Sequence, residues 1–219
     1  MIVKLKRIKD DIESTIDAED NLQKMILIEQ AIDAAYEIEE RISRSYAFCD
    51  CVIAILEFAR ETNNEKTIER IHPLLEEITN KGAFARALSY LSVVLASFNK
   101  ETEAEEALLE AIKNTDLIKD DFDRRDALLD IATSAGDIFY ISNKRKMLDL
   151  AYDFAEQLTS GQKAYLYGYI ATLLPEEEGA QVMRTAIEIA DQITDPITRS
   201  KVFLELSGLL SNGSKDVEE

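Results

Sequence analysis

The twelve residues ALLEAIKNTDLI, Ala107 to Ile118, have counterparts along the whole chain: AIDAAYEIEERI from Ala31, TIERIHPLLEEI from Thr67, MLDLAYDFAEQL from Met147 and VMRTAIEIADQI from Val182. The starts are separated by 36, 40, 40 and 35 residues. The second position is always large and apolar (Ile32, Ile68, Leu108, Leu148, Met183). The fifth is mostly alanine, and the twelfth is Ile or Leu (Ile42, Ile78, Ile118, Leu158, Ile193). This spacing lines the anchors along one side of an α-helix, and recurrence at such a period is the sequence signature of a stacked helical array.

A second apolar pattern follows each window. It is anchored at Phe48, Leu88, Leu128, Tyr167 and Phe203, with further apolar or small residues three, four and seven places on (Cys51, Val52 and Ile55 after the first anchor; Leu206, Ser207 and Leu210 after the last). Small residues such as Ser92, Ala132 and Ala171 at the middle position let a neighbouring helix come close. Each window and the pattern after it therefore make a helical hairpin.

Breakers and caps divide the chain in the same way. Lys81-Gly82 and Ser160-Gly161 put glycine where a left-handed residue would end a helix. Ser43 and Ser45 offer capping oxygens, Thr102 with Glu105 has the capping-box form, and Asp195-Pro196 and Pro175 before three glutamates read as helix starts. Pro73 inside the second window predicts a kink or a helix start. From Leu22 to Ile42 no breaker occurs, which predicts one long helix after a first helix over residues 2–16. The stretch Gly136 to Ser142 reads as an apolar connection, and 212–219 as a polar tail after a single domain of residues 1–211.

These residues resemble a tetratricopeptide-type repeat. The small residue of one helix lies sixteen places before the large anchor of the next at Val52 to Ile68, Ser92 to Leu108 and Ala132 to Leu148, and Ala104-x-x-x-Leu108 with Ala111 is similar to that family's second-helix pattern. Gly179-x-x-x-Met183 is a weaker match, and the resemblance spans roughly residues 44–210. A HEAT-like repeat is the second resemblance, carried by Asp120, Arg124, Ala127 and by Asp195, Arg199, Val202. The resemblance implies an all-α, right-handed αα-superhelix of about five hairpins of 35–40 residues, an interaction scaffold with no chemistry of its own.

Composition limits the partners. The 219 residues hold 43 acids against 25 bases, a net charge of −18, which opposes the phosphate neutralisation that nucleic acid demands and disfavours an anionic membrane surface. A basic protein partner remains chemically reasonable. No apolar stretch has the length of a membrane helix, and MIVKLKRIKDD has no signal-peptide core, so a cytoplasmic location is expected. Cys49 and Cys51, two apart on a helix, point to nearly opposite sides and read as reduced packing residues.

Catalytic and metal chemistry find little support. His72 is the only histidine and Glu69-x-x-His72 the only element of its kind, short of a di-iron set, so no metal, cofactor or catalytic residue is assigned. The informative residues lie on the second helices, off the buried side: Tyr46, Arg86, Tyr90, Asp126, Asp130, Tyr165, Tyr169 and Lys201. Tyrosine mixed with charge suits a surface that holds a peptide by ring contact and orients it by ion pairs. Three readings follow: a peptide-binding scaffold, a self-assembling protein that dimerises through its C-terminal helix, and an acid-rich helical protein that binds a metal or small ligand.

Overall fold

A computed structural model describes residues 20–213 together with Lys6, Ile8, Lys9 and Ile12. The helix expected over 2–16 lies largely outside these residues, as does the tail beyond Gly213. The described residues form ten α-helices, one 3-10 segment and no strand. The helices are α1 (Asn21–Tyr36), α2 (Arg41–Glu61), α3 (His72–Glu77, entered through the 3-10 segment Glu65–Ile71), α4 (Lys81–Ser97), α5 (Glu101–Thr115), α6 (Asp121–Ser142), α7 (Arg145–Ala155), α8 (Ser160–Leu173), α9 (Glu176–Asp191) and α10 (Pro196–Gly213). The fold is all-α. None of these helices is long and apolar enough to cross a membrane.

The chain divides into two compact units, residues 1–127 and 128–219. In the first, α2 packs on α1, on the 3-10 segment with α3, and on α4; α4 in turn packs on α5. In the second, α8 packs on α7, α9 and α10. Within each unit the most extensive contact joins a second helix to the first helix of the following hairpin, α4 to α5 and α8 to α9.

One turn recurs at the end of every first helix. The amides of Ile38, Ile78, Ile118, Leu158 and Ile193 each donate to the carbonyl three residues earlier, at 3.1 to 3.3 Å. This 3-10-type bond closes the helix and folds a large apolar side chain back toward the core. Ile38, Ile78 and Ile193 are buried, and Ile118 and Leu158 half-buried. One or two residues later a polar side chain caps the next helix. Glu40, Asn80, Asp120, Thr159 and Asp195 accept from the first free amides of α2, α4, α6, α8 and α10.

This turn corrects the register of the first window. The run from Leu22 to Ile42 is not one helix: α1 stops at Tyr36, and Ile42 sits at the start of α2, 56% exposed. The residues equivalent to the other windows are LIEQAIDAAYEI, Leu27 to Ile38, with Ile28, Ala31 and Ile38 buried in the same pattern as Leu108 and Ala111 or Leu148 and Ala151. Starts at 27, 67, 107, 147 and 182 are separated by 40, 40, 40 and 35 residues. An apolar run without a breaker concealed the boundary, because a hydrogen-bonded turn and not a glycine ends the helix.

Other boundaries move for related reasons. Gly82 and Gly161 lie in the first turns of α4 and α8, and no glycine has a positive φ. The left-handed positions belong to Asn63, Asn99 and Asn143, just past α2, α4 and α6, where asparagine tolerates that conformation. Glu40, not Ser43 or Ser45, is the N-cap of α2; the Ser45 hydroxyl instead accepts from the amides of Thr79 and Asn80 at 3.0 and 3.2 Å, fixing the chain before α4. Thr102 falls inside α5, whose N-cap Lys100 makes no side-chain cap. Gly136 to Ser142 continues α6 as helix. Pro73 opens α3, and Pro175 and Asp195 precede α9 and α10 as the sequence suggests.

Close packing of α8 on α9 depends on Gly179, where a Cβ would lie 2.5 Å from the carbonyl oxygen of Ala171. At Gly208 on α10 a Cβ would meet nothing within 4 Å. Gly179→Ala should therefore destabilise the fold by roughly 1–3 kcal/mol through overpacking, while Gly208→Ala should stabilise it by up to about 1 kcal/mol through helix propensity; thermal denaturation of the two variants checks the opposite signs.

Two caps also give the fold an acid limb. The hydrogen bond with the Ser43 side chain, then the amides of Ser43 and Ile42, holds the Glu40 carboxyl below its ordinary pKa. The Thr198 hydroxyl, then the amides of Thr198 and Ile197, does the same for Asp195. A depressed carboxyl pKa adds stability that is present above the unfolded value and is lost as pH falls through the folded one. Glu40→Gln and Asp195→Asn should each flatten the fall in stability below about pH 4, measured by urea denaturation at a series of pH values.

Candidate functional site

The eight residues singled out from the sequence fall four to each unit. Tyr46, Arg86, Tyr90 and Asp126 belong to the first, and Asp130, Tyr165, Tyr169 and Lys201 to the second. All sit on second helices, at positions that the buried stripe leaves half-buried or exposed.

On the first unit's face, α2 and α4 are tied by two polar links. Arg86 Nη1 lies 3.6 Å from Asp50 Oδ1, and the Tyr90 hydroxyl donates to Glu57 Oε1 at 3.2 Å. Burial raises the Asp50 pKa, and the opposing pull of Arg86 is the next cause. Tyr46 stands nearby, half-buried. Burial pushes its phenol pKa up, Asp123 pushes it further, and Asp126 adds to the same effect against Arg86.

The second unit repeats part of this arrangement. The Tyr169 hydroxyl donates to Asp137 Oδ1, linking α8 to α6. Tyr165 and Tyr169 stack, with ring centroids 6.4 Å apart and planes 13° from parallel. Burial is again the first cause of a raised Tyr165 pKa, followed by the fields of Glu205, Asp137 and Asp130. Lys201 is exposed on α10, with its ammonium 3.7 Å from Glu205 Oε1.

Glu57 and Asp137 were not apparent from the sequence as site residues. Each lies nine places after its helix's anchor, Phe48 or Leu128, and each accepts from the tyrosine two places after the next anchor or its equivalent, Tyr90 or Tyr169. The signal was an acid recurring at a separation of 80 residues, twice the period. Tyr90 and Tyr169 thus combine packing with polar display: each ring is half-buried between helices, and each hydroxyl is spent on a carboxylate of the neighbouring helix.

A cleft of about 340 Å³ opens in the first unit beside the turns that precede α4 and α6, lined by Arg41, Ile42, Thr79, Lys81, Ile118 and Asp123 among others. Two of its three cations, Arg41 and Lys81, are engaged internally. Arg41 Nε donates to Thr79 Oγ1 at 3.0 Å, and Lys81 Nζ to Asn114 Oδ1 at 3.1 Å.

Comparison with protein-family models, with curated proteins and with solved structures returns no match. The chemistry must therefore be read from the residues alone. Among the described residues no grouping of three His, Cys, Asp or Glu side chains could hold a metal ion. His72 is exposed at the start of α3. Cys49 and Cys51 are buried free thiols, and burial, with Asp50 and Cys49 adding to it, pushes the Cys51 thiol up to about 12, far from the thiolate that a nucleophile requires.

Deleting either tyrosine hydroxyl removes one hydrogen bond to a charged, partly exposed acceptor. Tyr90→Phe and Tyr169→Phe should each cost about 1 kcal/mol, which lowers the melting temperature by roughly 2–4 °C in a chain of this size, as read by circular dichroism.

Proposed function

We propose that this chain is a non-catalytic interaction scaffold of tetratricopeptide-like character whose second-helix faces hold a basic peptide or protein segment. The observation that carries this reading is the surface around Tyr165. A half-buried phenol, stacked on Tyr169, lies in the combined field of Glu205, Asp137 and Asp130. Aromatic faces beside carboxylates attract Lys and Arg twice over, through the ring quadrupole and through ion pairing. Tyr46, under the influence of Asp123 and Asp126, gives the first unit a smaller version of the same chemistry.

The net charge of −18 supports the same choice of partner, since it favours encounter with cations and opposes nucleic acid and anionic lipid. The buried, high-pKa thiol and the exposed lone histidine support the absence of a reaction. Two faces, one in each unit, would hold two stretches of a partner or two partners.

A fluorescently labelled Lys/Arg-rich peptide, compared with its Glu-substituted counterpart, tests the proposal. The basic peptide should bind saturably and weaken with added salt, and the acidic one should not bind. Tyr165→Ala combined with Asp130→Asn should weaken binding by roughly tenfold or more, as loss of a ring contact and a charge contact does at interface centres, in a variant whose helix content by far-UV circular dichroism is unchanged at the temperature of the binding measurement. Equal binding of the two peptides, or an unaltered affinity in the variant, would refute the reading.

A further inference from the structure

The last described helix keeps open a face that its counterparts bury. The residues at the anchor and at seven places beyond it are Phe48 and Ile55 on α2, Leu88 and Leu95 on α4, and Leu128 and Ala135 on α6, and all are at most 7% exposed. On α10 the equivalent residues are Phe203 and Leu210, 36% and 53% exposed. Between them the small residue Ser207 is exposed too, where Val52, Ser92 and Ala132 are fully buried. Phe203, Ser207 and Leu210 follow one another at four and three residues, so they share one side of the helix.

That side is distinct from the one α10 uses within its own unit. A Cβ at Gly161 would touch Thr198 and Val202, and one at Gly168 would touch Leu206 and Leu209, so α10 rests on α8 through those four residues. Ser207 is the counterpart of Ala171, against which Gly179 of α9 packs, so the face with Phe203 and Leu210 corresponds to the surface of α8 that carries α9. Among the described residues no helix fills it on α10.

We propose that this face is a self-association surface on which α10 of a second copy docks about a two-fold axis near Ser207. Charge and shape both favour a copy of the same helix. α10 carries two bases and one acid, whereas α5 and α9 each carry five acids and one base, so two molecules of this strongly acidic chain meet through α10 with far less repulsion than through either of those helices. The order large, small, large is its own complement when two helices run antiparallel. Phe203 then covers Leu210 of the second copy and the reverse, and the paired serines let the axes approach, as an isologous contact requires.

Sedimentation of the full chain from about 1 to about 200 µM, where a reversible dimer shifts with protomer concentration, tests the proposal. The expected result is a monomer–dimer equilibrium in which Leu210→Glu raises the dissociation constant roughly tenfold or more, while Gly208→Glu, on another side of α10 where a side chain would meet nothing within 4 Å, leaves it unchanged. Far-UV circular dichroism shows that each variant keeps its helices. Because Cys49 and Cys51 are buried, Ser207→Cys supplies the one accessible thiol among the described residues and should give a disulfide-linked dimer under mild oxidation. A monomer at all concentrations, a dimer indifferent to Leu210→Glu, or failure of Ser207→Cys to cross-link would each overturn it. A monomer that instead binds a peptide of residues 176–191 would assign the face to a foreign helix, and would also overturn it. None of these outcomes bears on the peptide-binding faces.

Discussion

Every first helix in this chain is closed by the same short hydrogen bond, and the rest of the structure depends on it. The amide of an Ile or Leu reaches back three residues, which stops the α-helix and drives a large side chain into the core at the hairpin's apex. A polar cap one or two residues later then starts the return helix. Turn, apolar plug and cap together set both the length of the connection and the direction of the second helix. The buried stripes can only meet because these three elements recur in the same order.

Helix formation itself is less demanding than helix placement. α7 and α9 are strongly two-sided, with a narrow apolar face, and their alanines at 151 and 186 are completely buried. The second helices α2, α4 and α8 are apolar on more than one side, because each contacts helices before and after it. Small residues at their centres, and Gly179 opposite Ala171, bring these helices close together. The polar links between α2 and α4, and between α6 and α8, lie at the margin of this packing. The candidate binding faces are therefore held by the same helix pairs that build the core.

The all-α class and the hairpin division were legible in the sequence because apolar spacing at one period survives even where individual residues differ. The first window was read four residues late, since Ala31 and Ala35 are both buried and either fits the alanine position. Nothing in the run from Leu22 to Ile42 marks a helix end; the marker is a backbone bond that no residue type encodes. Gly82 and Gly161 suggested left-handed caps, whereas asparagines at 63, 99 and 143 take that conformation. Tyr90 and Tyr169 were legible as exposed-side tyrosines, but the carboxylates they bond were not, because Glu57 and Asp137 are two among 43 acids.

The pairing of each second helix with the helix next in sequence has a kinetic consequence. Contacts between chain neighbours require only short loops to close before apolar area is buried, which is the condition under which helical chains fold fastest. In each unit such a neighbouring pair, α4 with α5 or α8 with α9, can form its interface without waiting for distant segments, and so offers its own nucleus.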